Sequence, residues 1–274
     1  MIHYRLDLEY DGTDFKGWQV QPDQRTVQKE LEDRLQILFR KPIRVTAAGR
    51  TDTGVHAFGQ VVSFSAEREH DTEELKQSLN GMLPPDVVIK SAALTDTEFN
   101  ARFSATSREY IYDIIFGVRA VGRAYAWSRR DSLSLPALER AARHIEGEHD
   151  FTSFCVAAQE RESRICTVHS CVWAEKDNGI RLTIRANRFV RSMVRSLVGT
   201  FVDVGRGFRD ADEMPDILAA KDRSAAGPTA PPHGLFLAVV AYDGPPRQDR
   251  SKSRSRDRGD AVDERSQLGP DTSG

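Results

Sequence analysis

The stretch Ala47–Phe64, AAGRTDTGVHAFGQVVSF, sets the reading of this chain. Phe58 to Phe64 has the aromatic and β-branched content of a strand, and Ile43 to Ala47 reads as a second strand before the turn. Between them stand Gly49, Arg50, Asp52, Gly54 and His56. An isolated Asp-Thr-Gly is explained by turn chemistry, because Asp bonds its own backbone and Gly supplies a positive φ. Here Gly49, Arg50, His56 and Gln60 crowd polar and permissive residues around the acid, and a carboxylate at a strand-to-loop junction projects past the sheet edge, where functional groups collect. The guanidinium of Arg50, two residues away, is expected to keep Asp52 ionised and oriented, which suits a nucleophile and hinders a general acid.

Two other chemistries fail on the residues present. Asp52-Thr53-Gly54 is the triplet of aspartic proteases, which need two carboxylates sharing a proton, and no second Asp-Thr/Ser-Gly occurs. LEYDGTDF (8–15) echoes the loop of aspartyl-phosphate phosphatases, but Glu9 fills the nucleophile position.

Outward from the turn, strands and helices mix in both halves. Tyr4, Leu6, Leu8 and Tyr10 alternate with polar residues as in a half-buried strand. Val27, Leu31, Leu35 and Leu38 recur at helical spacing behind the capping residue Thr26. A helix at 72–80 and strands at 87–94 and 106–116 follow, the last carrying Arg108 and Tyr110 on one face. After a polar stretch at 117–131, the pattern gives a helix at 135–146, strands at 165–174 and 180–186, and helices at 189–204 and 211–220. Leu235 to Ala241 reads as a strand buried on both faces. The fold class is α+β, in two lobes, each a mixed or antiparallel sheet with helices on one side: residues 1–105 carrying Asp52, residues 106–244 carrying an Arg-rich helix. From Gly244 the chain has almost no apolar residues, so 245–274 is expected to be a disordered tail.

Composition narrows the function. The chain has 274 residues, 39% hydrophobic and 29% charged, and a formal net charge of −2. No apolar run approaches the ~20 residues that span a bilayer, and the N-terminus lacks the basic start and apolar block of a signal peptide. Cys155, Cys166 and Cys171 match no zinc motif and read as free thiols in a reducing cytoplasm. Residues 181–209 hold seven arginines against the single acid Asp203, a local surplus that suits an anionic partner. On the 189–204 helix, Val190, Met193, Val194, Leu197, Val198 and Phe201 form a core stripe. Arg188, Arg191 and Arg195, spaced three and four apart beside Ser192 and Gly199, form a face with no acid to pair with. By pattern alone Tyr110 is a core tyrosine with its hydroxyl at the rim, and Trp18 packs as a staple.

Six ordered blocks together resemble the bacterial tRNA pseudouridine synthase A family: YDGTDFKGWQVQ (10–21), AGRTDTGVHAFGQVVSF (48–64), FNARFSATSREYIYDI (99–114), GEHDFTSF (147–154), IRANRFVRSMVRSLVGT (184–200) and AAGPTAPPHGLFL (225–237). The resemblance implies a two-lobed α/β protein with a basic cleft, a cytoplasmic homodimer that isomerises uridines in the anticodon stem-loop of tRNA. It implies no cofactor, metal or membrane. Asp52 falls on the family's catalytic aspartate, Arg195 on the arginine that pairs with it, and Tyr110 on the tyrosine that stacks on the target base. Arg50, Arg108, Arg188 and Arg191 are expected to bind substrate. Thr53 replaces the alanine common after the aspartate. The rival readings are a non-catalytic tRNA-binding protein or chaperone on the same scaffold, and a hydrolase using Asp52. The presence of Asp52, Tyr110 and Arg195 speaks against the first, the single acid against the second.

Overall fold

A computed structural model describes residues 1–156 and 163–243; the segment 245–274 lies outside the described residues. In chain order the elements are β1 (Ile2–Tyr10), α1 (Val27–Phe39), β2 (Thr46–Ala47), β3 (His56–Ala66), α2 (Thr72–Met82), β4 (Val87–Leu94), β5 (Ala105–Phe116), β6 (Trp127–Arg129), α3 (Leu135–Arg143), β7 (Gly147–Asp150), β8 (Ile165–Lys176), β9 (Gly179–Ala186), α4 (Met193–Gly205), α5 (Met214–Ala220) and β10 (Leu235–Tyr242). The α+β class read from the sequence is the fold observed.

The alternation in β1 is realised as expected. Tyr4, Leu6, Leu8 and Tyr10 are buried, and Tyr4 stacks on Phe64 of β3 with ring centroids 4.9 Å apart. Side chains of this size stabilise the fold by about 1.5–3 kcal/mol each when fully buried. Val27, Leu31 and Leu35 of α1 enter the same core, and the Thr26 hydroxyl caps α1 by accepting from the Lys29 N–H. In the second half Leu182 and Ile184 of β9, Trp173 of β8 and Phe201 of α4 are buried, with Trp173 edge-on to Phe201 at 6.0 Å.

The two halves were expected to carry a sheet each; their strands instead join in one, in the order β4-β1-β3-β10-β5-β9-β8-β7, with β2 on β3 and β6 on β5. The cause is β10. It pairs parallel with β3 on one side and antiparallel with β5 on the other, so a strand from the end of the second half closes onto the first. Leu237 has Ala57 of β3 and Tyr110 of β5 as its two cross-strand partners. β10 is not sealed on both faces, since Val239 is half exposed.

Other boundaries move for local reasons. The helix expected from 189 starts at Met193 because Ser192 has φ 60° and ψ 11°, a left-handed conformation that no α-helix continues. The expected 211–220 helix divides into a 3-10 turn, Ala211–Glu213, closed by a reciprocal Asp210–Glu213 capping box, and α5, which has Pro215 at its start. The strand expected at 43–47 pairs only through Thr46 and Ala47. Within the polar stretch 117–131, β6 pairs with β5.

Candidate active site

The Asp52 turn is held from beneath by the segment after β1. The Trp18 N–H donates to the Thr51 carbonyl at 3.0 Å and the Gly54 N–H to the Phe15 carbonyl at 3.3 Å. Gly17 is required at this approach: its φ is +88°, and a Cβ would lie 2.7 Å from the Thr51 carbonyl oxygen. Trp18 is itself buried, so it is the staple the sequence suggested. Gln60, fully buried on β3, clamps the upstream arm. Its Nε2 donates to the Gly49 carbonyl at 2.7 Å and its Oε1 accepts the Gly49 N–H at 3.3 Å. The Tyr10 and Thr51 hydroxyls share a hydrogen bond of 2.8 Å below the turn. His56 fixes the downstream arm: Nδ1 accepts the Gly12 N–H at 3.0 Å, which leaves Nε2 to donate to the Ala124 carbonyl at 3.1 Å.

Across from this turn stands the first turn of α4. Arg195 Nη1 donates to Asp52 Oδ2 at 3.0 Å, and the Ser192 hydroxyl donates to the same oxygen at 2.8 Å. The two ionic side chains keep 26% and 18% of their surface, so substrate can reach a carboxylate that is already oriented. The positive end of the α4 dipole and the guanidinium both face this carboxylate. Arg195 is itself aimed by a second bond, Nε to the Ala230 carbonyl at 2.8 Å, while the Ala230 N–H returns to the Arg195 carbonyl at 3.0 Å. The loop carrying Ala230 lies flat on α4 because Gly199 has no side chain; a Cβ there would be 1.6 Å from the Pro228 carbonyl oxygen.

Tyr110 lies beside this centre. Its ring is edge-on to Phe189 at 5.0 Å, and a Cβ on Gly49 would sit 3.4 Å from its hydroxyl. Burial, then the neighbouring Tyr10 and Asp52, push its phenol above the ordinary range, so it is a neutral phenol at any working pH. Among the described residues its hydroxyl has no hydrogen-bond partner, and it stands at the rim as the pattern suggested.

The arginines separate into different roles. Arg50 is exposed and makes no hydrogen bond to Asp52 among the described residues; the pairing that sequence proximity suggested belongs to Arg195. Arg108, expected to meet substrate, is buried and spends its donors on backbone: Nε and Nη2 on the Ala48 carbonyl (3.2 and 3.0 Å), Nη2 on the Arg102 carbonyl, and Nη1 on the carbonyls of Asn187 (2.9 Å) and Ala105 (3.1 Å). It braces the strand that leads into the turn. Arg188 and Arg191 lie in the loop before α4, not on its face, and Arg191 is exposed. The surplus of arginine in 181–209 is thinner in three dimensions, since acids outside the segment neutralise part of it: Arg181 meets Asp113 at 2.6 Å and Arg206 meets Asp131 at 2.9 Å, while Arg209 lies 3.8–3.9 Å from nearby Glu213 and Asp203. Ser192 was legible only as a small neighbour of the arginines, and Gln60 only as a polar residue in a strand.

Among the described residues no disulfide is formed, and burial pushes the Cys166 thiol up to about 11. Among the described residues no cluster of His, Cys, Asp or Glu could hold a metal ion, and no helix is long and apolar enough to cross a membrane.

Fold and geometry thus give an α+β protein in which one carboxylate, gripped by one guanidinium, stands beside the strands of a continuous sheet. The chain belongs to the tRNA pseudouridine synthase family, whose family model matches residues 8–104 and 141–243, and it is an isomerase. It is 45% identical over 242 residues to the tRNA pseudouridine synthase A of Geobacillus sp. (strain WCH70), covering 87% of this chain and 98% of that relative. It is 42% identical over 246 residues to the enzyme of that name from Bacillus subtilis (strain 168), covering 88% and 100%. A far weaker likeness, TM-score 0.31 at 11% identity over 72% of this chain and 54% of the other, is to a chain in the crystal structure of a Cbf5-Nop10-Gar1 complex; it adds nothing to the assignment.

Proposed function

We propose that this enzyme converts uridines of the tRNA anticodon stem-loop to pseudouridine with Asp52 as the nucleophile. The observation that carries the reading is the Asp52 carboxylate, accessible, held through Oδ2, and adjoining Tyr110, in a chain with full-length relatives named for this activity on tRNA. One carboxylate oxygen adds to the ribose C1′ or to the uracil C6, and the adduct resolves after the base has turned. Net, the C1′–N1 and C5–H bonds break and the C5–C1′ and N1–H bonds form. The carboxylate is restored, one proton leaves and one is taken up, and no electrons are gained or lost. The target base must leave its stack at a cost of a few kcal/mol. In this reading Tyr110 lies against it, and Arg50, Arg188 and Arg191 meet phosphates around the stem-loop, a recognition largely by shape.

The same reading includes a cytoplasmic homodimer. Phe58, stacked on Phe236 at 4.8 Å, and Val239 leave an apolar surface on β3 and β10 that suits a second copy; sedimentation in solution tests it. The function itself is tested with tRNA transcripts labelled with tritium at uridine C5. Tritium released from anticodon stem-loop uridines, and abolished when those alone are replaced by cytidine, supports the reading. Release from other positions only would refute the stem-loop assignment.

A further inference from the structure

The hydroxyl of Ser192 does something unusual for its position. Ser192 is the N-cap residue of α4, where a serine ordinarily accepts a bond from the backbone N–H two or three residues on. It makes no such side-chain bond, and its hydroxyl instead donates to Asp52, 140 residues away, at 2.8 Å. It does so from a left-handed backbone, φ 60°, a conformation that a non-glycine residue adopts at some expense and that gathers at functional sites.

Both donors to Asp52 converge on one atom. Oδ2 accepts from Ser192 Oγ and from Arg195 Nη1, while among the described residues Oδ1 accepts no hydrogen bond. A carboxylate held by a single donor can turn about its Cβ–Cγ bond and exchange its oxygens. Two donors on the same oxygen, reaching it from the first turn of one helix, fix which oxygen is held.

We infer that Ser192 is a positioning residue: with Arg195 it reserves Oδ2 and leaves Oδ1 as the oxygen that attacks. The inference rests on the reading of Asp52 as nucleophile. Oδ1 donates its electron pair to C1′ or C6 and recovers it when the adduct resolves, by the same balance of bonds given above. The hydroxyl proton of Ser192 stays on Ser192 throughout.

The test uses two substitutions suited to the backbone. Ser192→Gly removes the hydroxyl and relieves the left-handed conformation; Ser192→Asn tolerates that conformation and returns an N–H donor. In single-turnover tritium release from uridine-labelled tRNA, Ser192→Gly should lower the rate about tenfold, the scale of one lost charge-assisted bond. Its KM, its tRNA affinity and its melting temperature should stay within error of wild type or rise, and Ser192→Asn should regain most of the rate. A Ser192→Gly enzyme at the wild-type rate overturns the inference. So does one whose loss lies in KM or melting temperature, or one that Ser192→Asn fails to rescue. Asp52→Asn run alongside separates the two readings. If it keeps activity, the nucleophile assignment and this inference fall together; if it is inactive while Ser192→Gly is normal, only the role of Ser192 falls.

Discussion

Asp52 and Arg195 are 143 residues apart in sequence and meet at 3.0 Å. The guanidinium does two things at once: Nη1 holds the carboxylate while Nε holds the Ala230 carbonyl. It therefore fastens the β2–β3 turn and the loop before β10 to the start of α4. The fork of an arginine can do this, and the point charge of a lysine cannot.

Asp52→Asn should abolish tritium release from tRNA while the melting temperature and tRNA affinity stay close to wild type. The amide keeps the shape of the side chain and can still accept from Arg195, but it cannot act as a nucleophile. Activity within tenfold of wild type would refute the assignment.

Arg195→Lys should lower kcat about 100-fold, because a small misplacement of the carboxylate is enough for a loss of that order. Arg191→Ala, in contrast, should leave kcat intact, weaken tRNA binding and reduce the slope of log affinity against log salt by roughly 0.7–0.9, the share of one phosphate contact. The two variants are distinguished by titrations at several salt concentrations beside single-turnover rates. Similar profiles would remove the division of labour.

Gly199→Ala should destabilise the protein by about 1–3 kcal/mol, the usual range for forcing a methyl group into a packed contact. The displaced backbone is that of Pro228, two residues before the carbonyl that aims Arg195. The rate of the surviving folded enzyme should fall as well. Urea unfolding gives the first quantity and activity per folded molecule the second; a destabilised variant with a normal rate would show that the loop does not aim Arg195.

Acidification should weaken the fold through His56. Burial lowers its pKa below the ordinary histidine value of 6.5, although Asp11 lies 3.0 Å away and opposes the shift. Burial moves His233 the same way. The unfolded chain then binds the proton first, so stability is full above pH 6.5 and is lost as pH falls below it toward the folded value. His56→Gln should show a smaller drop in unfolding free energy between pH 7.5 and 5.5 than wild type. Equal drops would mean that other groups carry the dependence.

What the sequence showed depended on how local the cause was. β1 and α1 follow from periodicity and from the cap at Thr26, all written within a few residues, while the cap of α2, Asp71, is a finding of the structure. The start of α4 was misplaced because a left-handed serine leaves no compositional trace. Arg108 and Arg50 depart from expectation for a tertiary reason. Tyr110, on the same strand as Arg108, reaches the site, while Arg108 is drawn into backbone carbonyls that only the assembled sheet brings together. Arg50 is two residues from Asp52 in sequence, but the turn directs it outward. The single sheet was hidden for the same reason: nothing in LFLAVVAY says that its neighbours will be β3 and β5.

The place of β10 also sets an order of events during synthesis. Residues 235–242 leave the ribosome after both strands they join, so until then β3 and β5 each hold an open edge that could pair with another chain. Asp52 precedes β3 and Tyr110 lies on β5, on opposite sides of that gap. A nascent chain therefore has every residue of the centre described here before it has the centre itself. Hydrogen exchange on chains arrested before and after Leu235 should show amides of β3 and β5 becoming protected together when β10 arrives; protection of both edges before that point would contradict this order.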